Sequence, residues 1–181
     1  MKAARLVILG GVLLALAGTA LILDKYFSQS LPNSGMESEV SQAALMAASF
    51  PDLTGKPQSL GQWQGKLLVI NFWATWCAPC REEMPTLNRI QIKYAPKGLQ
   101  IVGIAADSAG KVSKFSKETV IGYPLLIDQA GAMEFSRRLG NRFGLLPHTV
   151  VIGADGKQVF SKLGVLQENE FEAILLEHLP K

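Results

Sequence analysis

The sequence predicts an α/β domain with a mixed central sheet flanked by helices, carried behind an N-terminal transmembrane helix. Three observations lead there. Leu67-Leu-Val-Ile-Asn-Phe-Trp73 and Leu99-Gln-Ile-Val-Gly-Ile-Ala-Ala106 are near-continuous apolar runs, as expected of strands buried on both faces. A helix-compatible pattern separates them, which makes a βαβ unit with a right-handed crossover. Asp155-Gly156 sits between two β-type runs and signals a hairpin, so antiparallel strands join the parallel ones.

Taken in order, Lys2 and Arg5 precede residues 6–23, which carry no charge before Asp24 and Lys25. As a helix this run is about 27 Å long, close to the hydrocarbon thickness of a bilayer. A cleaved signal peptide is the competing reading, because Ala15-Leu-Ala17 has the small-x-small form of a cleavage site. The apolar run continues past it through Leu23, which favours an uncleaved anchor over residues 1–25. Under both readings the positive residues stay in the cytoplasm and the remainder is exported. The expected location is the cytoplasmic (inner) membrane, single-pass, with the domain facing the periplasm or cell exterior.

Residues 26–49 mix Ser, Gln, Asn, Gly, Pro and Glu with one small apolar patch at 43–48, room for a helical turn, and read as an extracytoplasmic linker with an r.m.s. span of roughly 25–30 Å as a flexible coil. The folded domain is expected over 50–181. It opens with a small hairpin turning at Thr54-Gly55-Lys56. After the first strand, Met84, Leu87, Ile90 and Tyr94 recur at helical spacing until Pro96-Lys97-Gly98 ends the helix, and Pro85 interrupts its bonding. Val112 and Phe115 mark the inner face of a second helix, whose lysines 111, 114 and 117 form a solvated face. Residues 123–128 suit a short strand and 130–139 another amphipathic helix. Phe171, Ile174, Leu175 and Leu179 stripe a C-terminal helix.

Without the anchor and its flanks, residues 26–181 hold fifteen basic and fourteen acidic side chains. That balance leaves no basic field for nucleic acid. Two cysteines, Cys77 and Cys80, are too few for a disulfide scaffold or a four-cysteine zinc site. They stand where the first strand gives way to a helix. Free N–H groups and the positive end of the helix dipole stabilise a thiolate there. A second thiol one turn away completes the minimum equipment for disulfide exchange, in either direction.

The segment Phe72-Trp-Ala-Thr-Trp-Cys-Ala-Pro-Cys-Arg-Glu-Glu-Met-Pro85, together with Leu146-Pro147, resembles the thioredoxin superfamily, and within it the membrane-anchored TlpA/ResA-like thiol–disulfide oxidoreductases. The resemblance spans roughly residues 50–180 and implies a thioredoxin-like fold. It implies that Cys77 is the nucleophile and Cys80 the resolving thiol, with no cofactor beyond the redox-active Cys77–Cys80 disulfide. Ala78 and Pro79 tune the potential, and Trp76 lies beside the pair, whereas Trp73 reads as a core aromatic. Pro147 matches the family's cis-proline, and residue 146 (Leu146) offers strand-like hydrogen bonds to a substrate segment.

Two positions depart from that pattern. Thioredoxin has a buried Asp six residues before its first cysteine, where this chain has Asn71. Glu83, one turn beyond Cys80, matches the acidic residue of the TlpA/ResA-like group and is expected to accept a proton or tune a thiol; Glu82 points to solvent. His148 follows Pro147 where a hydroxyl residue is more usual. It is expected at the substrate groove, stabilising a thiolate, bonding substrate or filling the groove edge.

The resemblance implies a reductase of protein disulfides, acting in c-type cytochrome or metal-cofactor assembly. Its partners are then disulfide-bearing proteins such as an apocytochrome c or copper-site protein, and a transmembrane thiol-reductant transporter. A copper chaperone using Cys77, Cys80 and His148 is the alternative. A peroxidase is disfavoured because no arginine–threonine peroxide pocket accompanies Cys77.

Overall fold

The computed structural model describes residues 41–180. Its central sheet has five strands: β3 (Leu67–Trp73), β4 (Leu99–Ala105), β5 (Leu125–Ile127), β6 (His148–Ile152) and β7 (Gln158–Leu163). Their order across the sheet is β5-β4-β3-β6-β7. β3, β4 and β5 run parallel, while β6 and β7 are antiparallel additions joined through the Asp155-Gly156 turn. Every residue of β3 is buried, as its unbroken apolar run requires of a central strand. An antiparallel hairpin of β1 (Ser49–Pro51) and β2 (Pro57–Ser59) precedes the sheet.

Among the described residues five α-helices complete the fold: α1 (Gln42–Ala47), α2 (Ala78–Tyr94), α3 (Ala109–Glu118), α4 (Gly131–Arg138) and α5 (Glu168–His178). They divide between the two faces of the sheet. On one face Met84, Leu87 and Ile90 of α2 and Phe171 and Leu175 of α5 pack with Val69, Trp73 and Ile101, and both cysteines belong to this core. On the other face Leu45 of α1 and Ala132 and Phe135 of α4 pack with Leu68, Ile70 and Phe72. The alternation of β3 residues between the two cores is the period-2 consequence of a strand. Exposed pairs Arg89–Glu168 (2.6 Å) and Lys93–Glu172 (2.7 Å) match successive turns of α2 and α5.

The folded unit starts earlier than the expected boundary at residue 50. Ser41 caps α1 by accepting from the Ala44 N–H, and Leu45 is 2% exposed. Gln42 Nε2 donates to the Asp155 carbonyl at 2.6 Å, and Leu60 N–H to the Ala48 carbonyl at 2.9 Å. The linker expected to run to residue 49 is thus part of the domain from residue 41 onward. The short apolar run at 43–48 docks on the core through Leu45, with Met46 and Ala48 packed beside it, and that burial holds the segment against the domain. Among the described residues no helix is long and apolar enough to cross a membrane. The expected anchor over 6–23 and the first part of the linker lie outside the described residues.

Candidate active site

Cys77 is the N-cap of α2, and Cys80 lies within its first turn, joined to Cys77 by a disulfide. The Cys80 N–H donates to Cys77 Sγ at 3.3 Å, so the sulfur occupies the position of a capping oxygen. Pro79 fits the first turn because its missing N–H has no intrahelical partner to lose. Cys77 keeps 5% of its surface exposed and Cys80 none, so Cys77 is the member of the pair that reaches solvent. Trp76, immediately before, is 67% exposed, whereas Trp73 is buried.

The turn carrying these residues is tied down from the neighbouring strand. Buried Asp107, just beyond β4, accepts from the Thr75 backbone N–H (3.3 Å) and hydroxyl through Oδ2, and from the Ser108 N–H through Oδ1. Sequence reasoning passed over Asp107. Its only signal was an acidic side chain directly after an apolar strand, at the sheet end where β3 also delivers the cysteines.

Glu83 is buried on the inner face of α2, while Glu82 is exposed. Its Oε1 accepts from Asn71 Nδ2 at 2.7 Å and its Oε2 from the Leu166 N–H at 3.2 Å. Burial pushes the carboxyl up to about 7, with the Leu166 and Asn71 donors holding it from going higher. Asn71 Nδ2 also donates to Thr149 Oγ1 at 3.0 Å. The residue standing where thioredoxin has an acid is therefore a fixed donor to a second acid one strand-to-helix step away. Tyr123 is buried beside this region, and burial, with the Glu83 charge, raises its hydroxyl.

The Leu146–Pro147 peptide bond is cis. In the β3–β6 ladder Phe72 pairs with His148, so Pro147 comes level with Trp73, where β3 hands over to the cysteine turn. Pro147 is buried and half-buried Leu146 packs against both cores, including the one that holds the cysteines. Among the described residues the Leu146 backbone takes part in no hydrogen bond to another segment, whereas the Pro147 carbonyl accepts from the Gly164 N–H at 2.8 Å. An extended substrate segment can pair with such a free edge.

His148 does not line this site. It is fully buried on the opposite face of the sheet, stacked on Phe72 with ring centroids 5.5 Å apart. Its Nδ1 is 2.8 Å from Ser136 Oγ and its Nε2 2.9 Å from Ser161 Oγ. Burial pushes the imidazole down to about 4. Strand alternation is the reason: Thr149 faces Asn71 and the cysteine core, so His148 faces away. The expected substrate contact and the Cys77–Cys80–His148 copper site both fail on that geometry. Among the described residues no group of three or more His, Cys, Asp or Glu side chains is arranged to hold a metal ion.

A cysteine pair bonded as a disulfide at a helix start, with only Cys77 reaching the surface, a carboxyl poised near neutrality and a free backbone edge suffice for disulfide exchange with another chain. Comparison with known proteins points the same way. Residues 39–175 match the Redoxin family model. The chain is 34% identical over 131 residues to the thiol-disulfide oxidoreductase ResA of a Bacillus cereus strain, covering 71% of this chain and 73% of that protein. The crystal structure of a thiol:disulfide interchange protein of the thioredoxin family from Chlorobium tepidum superposes with a TM-score of 0.66 at 29% identity, covering 74% of this chain and 93% of that one. A thioredoxin-related protein from Neisseria meningitidis serogroup B gives 0.62 at 34% identity, covering 71% and 98%.

Proposed function

This chain belongs to the Redoxin family, as a TlpA/ResA-like thiol–disulfide oxidoreductase of the thioredoxin superfamily, and from that premise we propose that it works as a reductase of protein disulfides outside the cytoplasm. The observation that carries the proposal is the Cys77–Cys80 pair at the start of α2, of which only Cys77 reaches the surface, with the buried Glu83 carboxyl one turn behind Cys80.

The reaction begins from the dithiol. The Cys77 thiolate attacks one sulfur of a substrate disulfide; that bond breaks, and the leaving sulfur departs as a thiolate that takes a proton from water. Ionised Glu83 accepts the Cys80 thiol proton, and the Cys80 thiolate attacks Cys77 Sγ. The second substrate sulfur leaves as a thiolate, and two electrons have passed to the substrate while Cys77 and Cys80 become a disulfide. The free backbone edge at Leu146 holds the substrate segment beside Cys77, and exposed Trp76 covers one side of it. A dithiol carrier must reduce the pair again, and a transmembrane thiol transporter supplies that need.

Residues 6–23 act as a single membrane anchor, keeping the domain at the outer face of the cytoplasmic membrane. The setting implied by the TlpA/ResA resemblance is c-type cytochrome or metal-cofactor assembly, where acceptor cysteines must be held reduced. Replacing Cys80 with Ser stops the second step and traps the substrate on Cys77. Mass spectrometry of envelope mixed disulfides is expected to find an apocytochrome or a copper-site protein attached. A reduction potential of about −120 mV, that of a strong oxidant, would overturn the reductase reading.

A further inference from the structure

His148 has no access to the cysteines, yet it is the centre of a chain of buried polar contacts that ends on the substrate-facing loop. Asn141, fully buried just after α4, closes that loop around its own side chain. Its Oδ1 accepts from the Leu145 N–H at 3.0 Å, its Nδ2 donates to the Leu145 carbonyl at 2.8 Å, and its backbone carbonyl accepts from the Gly144 N–H at 3.1 Å. The next residues are Leu146 and Pro147. Asn141 is anchored in turn, because its Nδ2 also donates to Ser136 Oγ at 2.8 Å and its N–H to the Ser136 carbonyl at 3.1 Å.

Hydrogen positions follow from what each group can do. An amide nitrogen only donates, so Ser136 Oγ accepts from Asn141 and its own hydrogen is available to His148 Nδ1. That leaves Nε2–H to donate to Ser161 Oγ on β7. The imidazole ring bridges β7 to α4, a span that a serine or threonine hydroxyl at position 148 is too short to cover. Phe72 beneath it fixes the ring plane.

We propose that His148 is a positioning residue for substrate recognition: through Ser136 and Asn141 it ties the Leu145–Pro147 segment to the sheet, so that the backbone edge of residue 146 is already in place when a substrate segment arrives. This rests on the reading that protein disulfides dock along that edge. Fixing the edge in advance removes part of the ordering cost of binding and leaves the sulfur chemistry untouched.

The test compares the wild-type chain with Ser136→Ala, which cuts the link, and His148→Thr, which cannot span it. The reduced proteins are oxidised in single turnovers by increasing concentrations of insulin, and amide hydrogen exchange is followed at Leu145 and Val150. Both variants are expected to raise the half-saturating insulin concentration about fivefold to tenfold while the limiting rate stays within about twofold. Leu145 is expected to exchange faster by a similar factor, with Val150 in the centre of β6 unchanged. An unchanged half-saturating concentration, a fall in the limiting rate alone, or equal acceleration at Leu145 and Val150 overturns the proposal, the last because it reveals general destabilisation. A wild-type protein that insulin does not oxidise would count against the reductase reading instead, and the exchange ratio then decides the positioning role by itself.

Discussion

Asn71 Nδ2 and Glu83 Oε1 are 2.7 Å apart, a strand amide donating to a helix carboxyl beside the core that holds Cys77 and Cys80. The amide stabilises the charged carboxylate, while burial opposes it more strongly and brings the group up to about 7. Near pH 7 Glu83 thus holds both protonation states in comparable amounts, as the proposed transfer of the Cys80 proton requires. Resolution of a Cys77 mixed disulfide should therefore speed up as pH rises through about 7. In Glu83→Gln the inflection should vanish and the rate above it fall about a hundredfold, the ordinary worth of a positioned base. Stopped-flow tryptophan fluorescence from pH 5 to 9 measures both; a retained inflection would remove Glu83 from the mechanism.

Stability should carry opposing slopes from two buried groups. Glu83 has its carboxyl raised from 4.5 to about 7, so between those values the folded chain holds more protons than the unfolded one, and stability falls as pH rises. The full loss is on the order of 3 kcal/mol. His148 is lowered from 6.5 to about 4, so across that window the folded chain holds fewer protons, and stability rises with pH. The two offset each other between about 4.5 and 6.5. Urea unfolding should show Glu83→Gln gaining stability with pH relative to wild type, and His148→Asn losing it.

Leu45 tests where the domain begins. It is 2% exposed in the core shared with Phe50 and Leu60. Leu45→Ala should cost about 2–4 kcal/mol in urea unfolding, the range for a buried leucine, although it lies five residues before the expected boundary. A cost below about 0.5 kcal/mol would return α1 to the linker.

Trp76 separates recognition from folding. At 67% exposure its replacement by alanine should change unfolding free energy by less than about 0.5 kcal/mol. Capture of a protein disulfide should nonetheless weaken severalfold, because an exposed tryptophan beside the nucleophile offers contact area at small ordering cost. Half-saturation with insulin and thermal unfolding, measured on one preparation, distinguish the two effects.

Much of this architecture was legible from local pattern. The apolar runs announced β3 and β4, Asp155-Gly156 announced the β6–β7 hairpin, and the three-residue step from Cys80 put Glu83 on the buried face. What sequence reasoning missed depends on long-range partners. Leu45 belongs to a short apolar run, residues 43–48, whose six residues are too few to announce a packed helix, and nothing in the run reveals the core that receives it. His148 was assigned to the groove because it follows Pro147, whereas strand phase decides its side. Fixing that phase on the Asn71–Thr149 contact turns His148 toward Phe72 at once. Ser136 and Asn141 gave no signal, since their meaning lies in a histidine across a helix–loop–strand connection.

The sulfur of Cys77 carries a further consequence, because the atom that caps α2 is the atom consumed in exchange. Each bond it makes or surrenders alters the electron density offered to the Cys80 amide, so the start of α2 is chemically different in every redox state. The helix start and the sulfur chemistry are thus one structural unit, and the cap of α2 is remade with every turnover.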